Sequence, residues 1–364
     1  MFKPRTQKAF NLQQYLLCIA ALTLLLIALF TAGNFPGIIE RYYTNGVYIP
    51  VSAILHFLLG WLPFSLGDVF YTIIILLFIY SLYRFIINLF QKQFRLIGIG
   101  ALRFIISLQL FIATFYLLWG MNYSRPPAAQ ILNLQDSTYT LSELKSVTSM
   151  LIDSVNARRA ALQHTDTLKS NEAIYQTSVR AIKSAGNTNP ALKSYFPEAK
   201  SSLFTPVINY LNTAGYFNPF TGETQVNYSM PLLNKPITAC HEMAHQMGFA
   251  REDEANFIGF MAGKESPDRL LRYSAYYMAM EEFTRNVYHR DSISFKQLKL
   301  RLSPAVKQDL KTDQAYWMRY QNQLSYVSSL FYDNFLKANN QPQGLRTYNR
   351  MIILTMAYYK KVHR

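Results

Sequence analysis

Cysteine is scarce in this chain: two in 364 residues, Cys18 inside an apolar run and Cys240 beside a histidine. Those placements do not suit a disulfide pair, so the fold does not depend on oxidation and cysteine usage leaves the compartment open. Also missing is any basic cluster, although the formal net charge is +15. Residues 1–123 hold eight Lys or Arg and two acids, leaving 28 basic and 19 acidic residues spread over the rest. A nucleic-acid partner wants cations gathered on one face, so none is expected; a solvated surface near anionic lipid headgroups fits better. No internal repeat is visible. Long apolar runs stop at Asn122, although half of all residues are hydrophobic. With a mean hydropathy barely above zero, the apolar residues must be concentrated before that point.

Residues 15–32 read YLLCIAALTLLLIALFTA without a charge, close to the ~20 apolar residues a helix needs to cross a bilayer. Lys3, Arg5 and Lys8 precede them, as before a signal anchor. A signal peptide cut near Thr31 and Ala32 is the weaker reading, because further spans follow. Those run over about 69–89 and 97–119, joined by a short loop carrying Lys92 and Arg95. Basic short loops stay in the cytoplasm. This rule predicts a multi-pass membrane protein with its N-terminus inside and everything after the third span outside. Residues 47–64 are apolar but interrupted by Pro50, Gly60 and Pro63, which suits an interfacial or re-entrant segment better than a span. Arg103, within the third span, is read as snorkelling to headgroups.

The Pro126-Pro127 pair cannot continue a helix and marks a boundary. The expected organisation is therefore a membrane anchor, 1–123, and one extracytoplasmic domain, 124–364. In the latter, helices are predicted from Ser142 to Ala161 and over 171–185, 267–289, 293–302, 304–338 with at least one break, and 344–362. The stretch from Tyr216 to Tyr228 has turn chemistry at Asn218-Pro219 and Thr221-Gly222 and then alternates, which predicts a turn followed by a short strand.

The chemistry is concentrated in residues 236–261. His241-Glu242-Met243-Ala244-His245 spells H-E-x-x-H, and positions i and i+4 of a helix share a face about 6 Å apart, so two imidazoles can reach one Zn²⁺. Glu242 then lies beside the ion's open position, placed to take a proton from its water. Pro236 is positioned to open this helix and Gly248 to close it. A catalytic zinc, expected at one per chain, wants a third protein ligand. Glu252 and Glu254 both follow Gly248 in the first turn of the next helix, about 200° apart, so only one can face the ion. Glu252 is favoured because Asn256, one turn on, shares its face and can hydrogen-bond a ligating histidine; Glu254 stays open as the alternate.

With these residues the chain resembles the zincin metallopeptidases, in particular the gluzincin branch, where a glutamate on a following helix completes the site. In membrane-bound gluzincins related to the CAAX-type proteases that helix reads E-x-x-A-D. Here Glu252 to Asn256 read E-D-E-A-N, with Asn for Asp, and the loop after His245 is shorter. Over nearly its whole length the chain also resembles a bacterial membrane family known as a domain of unknown function, 3810, with three N-terminal spans, HExxHxxGxxxEDEANF and a late G-L-R-T-Y-N segment, here Gly344 to Asn349. The zincin resemblance implies a mostly α, α+β domain with a small sheet. It also implies an edge strand before the active helix on which an extended peptide lies. The candidate strand is Glu223, Thr224, Gln225, Val226, Asn227 and Tyr228. Donors to a developing oxyanion are sought among Tyr273, Tyr276, Tyr277, Arg346 and Tyr348.

The leading expectation is hydrolysis of a peptide bond in a peptide, protein or cell-envelope substrate outside the cytoplasmic membrane. The competing one, from another class, is a non-catalytic zinc-binding sensor or scaffold. Glu242 argues against it, since purely structural sites are closed by four Cys or His ligands.

Overall fold

A computed structural model describes residues 11–134, 138–339, 341 and 350–362. Three of its helices are long and apolar enough to cross a membrane: α1 (Leu12–Ala32), α3 (Leu66–Phe90) and α4 (Phe94–Leu118), with α2 (Ile49–Leu59) between the first two. Their side chains are almost wholly exposed, as expected of surfaces solvated by lipid and not by protein. α1 and α4 lie side by side and run in the same direction, since Arg103 Nε donates to the Tyr15 hydroxyl at 3.1 Å, Gln109 Nε2 to Thr23 Oγ1 at 2.8 Å, and the Phe30 and Tyr116 rings meet edge to face. Arg103 thus has a partner in a neighbouring helix. The basic residues Lys3, Arg5 and Lys8 lie outside the described residues.

Beyond the spans the protein is mostly helical. Polar N-caps fix where its helices start: Thr140 for α5 (Leu141–Ala160), in a reciprocal capping box with Glu143, Ser170 for α6 (Asn171–Thr188), and Asp268 for α9 (Arg269–Arg290). Each accepts from a backbone N–H that the helix leaves unpaired. A three-stranded sheet, β1 (Lys200–Ser201), β2 (Gly215–Phe217) and β3 (Thr224–Val226), has the order β1-β3-β2, with β1 parallel and β2 antiparallel to β3. The residues 223–228 therefore form the centre of the sheet and are buried up to Asn227. The assignment of Glu223 to Tyr228 as the substrate edge is corrected: the short strand exists, but β2, from Gly215 to Phe217, is the edge on the antiparallel side.

The sheet rests on α7 (Lys235–Gln246), which is followed by α8 (Glu252–Lys264). α6, α8 and α9 pack around α7, and α5 lies along α9. The core is made by such residues as Leu144, Ile152, Ile182, Cys240, Met243, Phe257, Phe260 and Phe283, all buried. At the end of the chain come α10 (Ser292–Leu300), α11 (Pro304–Met318), α12 (Gln323–Ala338) and α13 (Arg350–Val362). The expected break within 304–338 falls at Arg319–Asn322, where Asn322 caps α12.

Residues of the anchor also pack on this domain. In α2, where Pro50 occupies the first turn, His56 lies 2.8 Å from the Gly222 carbonyl oxygen through Nε2 and 3.0 Å from that of Tyr195 through Nδ1.

Candidate metal centre

α7 starts with Pro236 in its first turn, where a missing N–H costs nothing, and ends at Gly248, whose φ of +79° is the left-handed conformation that closes a helix. Its terminal carbonyls are held by residues flanking α2 and α4. Trp119, the residue after α4, donates Nε1–H to His245 O at 3.0 Å, Tyr48 donates its hydroxyl to Gln246 O at 2.7 Å, and Arg125 donates to Met247 O and Gly248 O at 3.2 and 2.9 Å. Arg125 is itself clamped by both oxygens of Glu40, at 2.7 and 3.0 Å, so a cation stands where the helix dipole is negative. None of these three was singled out by sequence. Trp119 looks like an ordinary interfacial aromatic there, and Arg125 like a loop residue.

α8 opens with Glu252, Asp253 and Glu254 in its first turn, where carboxylates suit the positive end of the dipole. Its direction brings Glu252 onto the two histidines. Glu252 Oε2 lies 3.2 Å from His241 Nε2 and Oε1 lies 3.7 Å from His245 Nε2. One donor atom from each of the three falls within 4.8 Å of the others, so the cluster is able to hold a metal ion. The remaining nitrogens are both pinned, His241 by the Asn256 that the sequence suggests and His245 by a backbone carbonyl that it does not. His241 Nδ1–H donates to Asn256 Oδ1 at 2.8 Å, and His245 Nδ1–H to the Phe249 carbonyl at 2.7 Å. Both acceptors are oxygens, so both Nε2 lone pairs are directed to the shared point. The choice between the two acids falls to Glu252. Glu254 turns away, accepting from Ala128 N at 2.8 Å and from Arg251 at 3.2 Å.

Burial opposes charge on His241, but the hydrogen bond to Glu252 and the charges of Glu242 and Glu252 outweigh it and raise the imidazole to about 9. Burial pushes His245 down to about 4. Burial pushes Glu242 up to about 8, the Glu252 charge adding to it against the nearby His241. Burial acts on Glu252 too, yet its bond to His241 and the charges of both imidazoles bring it down to about 2. A divalent cation held by these groups would compete with the proton that His241 favours beside Glu252.

Glu242 projects towards β2. A Cβ at Gly215 would come within 3.0 Å of Glu242 Oε1 and 2.8 Å of Gln225 O, so glycine is what lets the edge strand approach the acid. Of the tyrosines proposed as oxyanion donors, Tyr273 is buried and gives its hydroxyl to Asp309 at 2.6 Å, Tyr276 packs on Phe260 and Arg158, and Tyr277 is buried beside Tyr273. All three belong to the packing of α9, which corrects their assignment to the site. Arg346 and Tyr348, with the whole Gly344–Asn349 segment, lie outside the described residues. The tyrosine that does reach the centre is Tyr332 of α12, which donates to Glu252 Oε1. Nothing in its local sequence sets it apart from the other 25 tyrosines.

No curated protein and no solved structure matches this chain. A family model described as "Protein of unknown function (DUF3810)" matches residues 43–356, a stretch containing α7, α8 and every residue of the metal centre, and the chain belongs to that family.

Proposed function

We propose that this protein is a zinc-dependent metallopeptidase of the gluzincin type, anchored in the bacterial cytoplasmic membrane with its N-terminus inside and residues 124–364 outside. The observation that carries the reading is the convergence of His241 Nε2, His245 Nε2 and Glu252 on one point, with Glu242 beside it. Three protein ligands of this kind leave a tetrahedral ion one open position, the arrangement of a catalytic site. A zinc ion held there would lower the pKa of its water to about 7 and polarise a carbonyl.

In this reading His241, His245 and Glu252 hold the ion, Asn256 and the Phe249 carbonyl fix the two imidazoles, and Tyr332 fixes Glu252. Glu242 takes the proton of the attacking water and returns it to the leaving nitrogen. With a cation held by His241, His245 and Glu252, Glu242 would fall below the value that burial imposes and be ionised to act as the base. A substrate chain lies extended along β2, whose outer side has no strand among the described residues, and Gly215 lets it come close to Glu242. The orientation is supported by the basic loop between α3 and α4 and by the parallel run of α1 and α4.

The test is Glu242→Gln in the purified full-length protein. Peptidase activity on a mixed peptide library is expected to disappear while bound zinc stays at one per chain. Zinc retained with activity undiminished would make the site a structural one, as in a sensor or scaffold.

A further inference from the structure

Over its first three turns α12 has its polarity reversed for a helix in water, whereas Leu336 near its end is buried. Leu324, Val327, Leu330 and Phe331 are 53%, 58%, 47% and 76% exposed. Ser325, Ser328, Ser329 and Asp333 turn inward instead, and Tyr332 reaches Glu252 from the same helix. A surface helix ordinarily buries its apolar stripe and wets its polar one; reversal fits a helix with lipid on its outer side and a polar site beneath.

Its place in the fold agrees. At its C-terminal end the Phe335 ring lies 6.2 Å from Phe115, in the last turn of α4, and the Tyr116 hydroxyl donates to Asn339 at 2.9 Å. At its other end Asn322 donates to the Tyr210 carbonyl at 3.2 Å. Elsewhere at this end of the spans, Phe57 and Trp61, which precede α3, are 67% and 76% exposed. The metal centre is equally close, because Trp119, one residue beyond α4, bonds His245 directly.

We propose that α12 lies in the headgroup–acyl boundary of the bilayer, its apolar face in lipid and its polar face over the metal centre, and that the site serves polypeptides tethered to the membrane. The substrate half rests on the peptidase reading; the seating of α12 does not. A centre joined through Trp119 to the end of α4 suits a juxtamembrane or lipid-anchored chain.

Nitroxides placed by Val327→Cys and Phe331→Cys, in full-length Cys18→Ser protein reconstituted in phosphatidylethanolamine–phosphatidylglycerol vesicles, test the seating. Ile293→Cys, exposed on α10, serves as the control. Collisions with oxygen are expected to exceed those with a water-soluble nickel chelate at 327 and 331, and the reverse at 293. Matching ratios at all three sites would overturn the seating, and so would spin–spin broadening at 331 that shows a second copy covering the face. With the unlabelled protein, one peptide library is offered free in solution and lipid-anchored in the vesicles, and at least a tenfold higher kcat/KM is expected for the anchored form. Equal rates overturn the substrate half, whereas no cleavage of either overturns the peptidase reading alone, since the collision ratios need no substrate.

Discussion

At Glu223 a buried carboxylate finds its cation within the chain. Lys200 Nζ lies 2.7 Å away, Thr221 donates its hydroxyl at 2.9 Å, and the N–H groups of Leu66 and Gly67 donate from the start of α3. At the other cluster Glu252 faces the Nε2 atoms of two imidazoles, at 3.2 and 3.7 Å. The first cluster is closed by the chain's own residues: Lys200 serves Glu223 and lies 3.9 Å from Glu198, which burial pushes up to about 7, and Glu223 joins α3 to the sheet. The second is balanced only by a proton on His241 or by an ion from outside. Acids in burial are thus no sign of function by themselves, and the identity of the balancing charge separates the two cases.

The largest effect expected from breaking this contrast is on catalysis. Glu242→Gln removes the base without touching a ligand, and kcat on a cleaved peptide should fall by roughly 10²- to 10⁴-fold while zinc content is unchanged. Next comes stability at the other cluster. Lys200→Met leaves Glu223 buried and uncompensated, a loss of about 3–5 kcal/mol, which a lowered denaturation midpoint would report without any change in zinc stoichiometry.

A smaller effect sharpens the electrostatic side. His241 is raised to about 9 and His245 lowered to about 4, so near neutral pH one proton, on His241, competes with the ion. Acid strengthens that competition, and zinc affinity measured with a competing chelator should fall about tenfold per pH unit below 9 and level off above it. An affinity independent of pH between 6 and 8 would show that no such proton is displaced. Smallest is Trp119→Phe, which deletes one hydrogen bond to the end of α7 and should cost about 1 kcal/mol of stability.

Much of this was legible in the sequence because it depends on spacing along a single element. H-E-x-x-H, the cap at Gly248, the pairing of Glu252 with Asn256 and the three apolar runs are all local patterns, and the structure places them within a few residues of the expectation. What was not legible depends on chain segments far apart. The order β1-β3-β2 brings β1 to one side of β3 and β2 to the other, so the strand nearest α7 in sequence became the middle one. Tyr273, Tyr276 and Tyr277 stand at helical spacing, and the packing of α9 claims them. Tyr332 reaches Glu252 from 80 residues away, and Tyr48, Trp119 and Arg125 cap α7 across still longer separations in the chain; periodicity carries no trace of any of them.

Zinc binding to the full-length protein in detergent, followed by equilibrium dialysis for the wild type and for His241→Ala, tests the central claim most directly. One zinc per wild-type chain and none in His241→Ala, with helical content unchanged, is the result the account predicts. One zinc retained by His241→Ala, or a folded wild type that binds none, would contradict it.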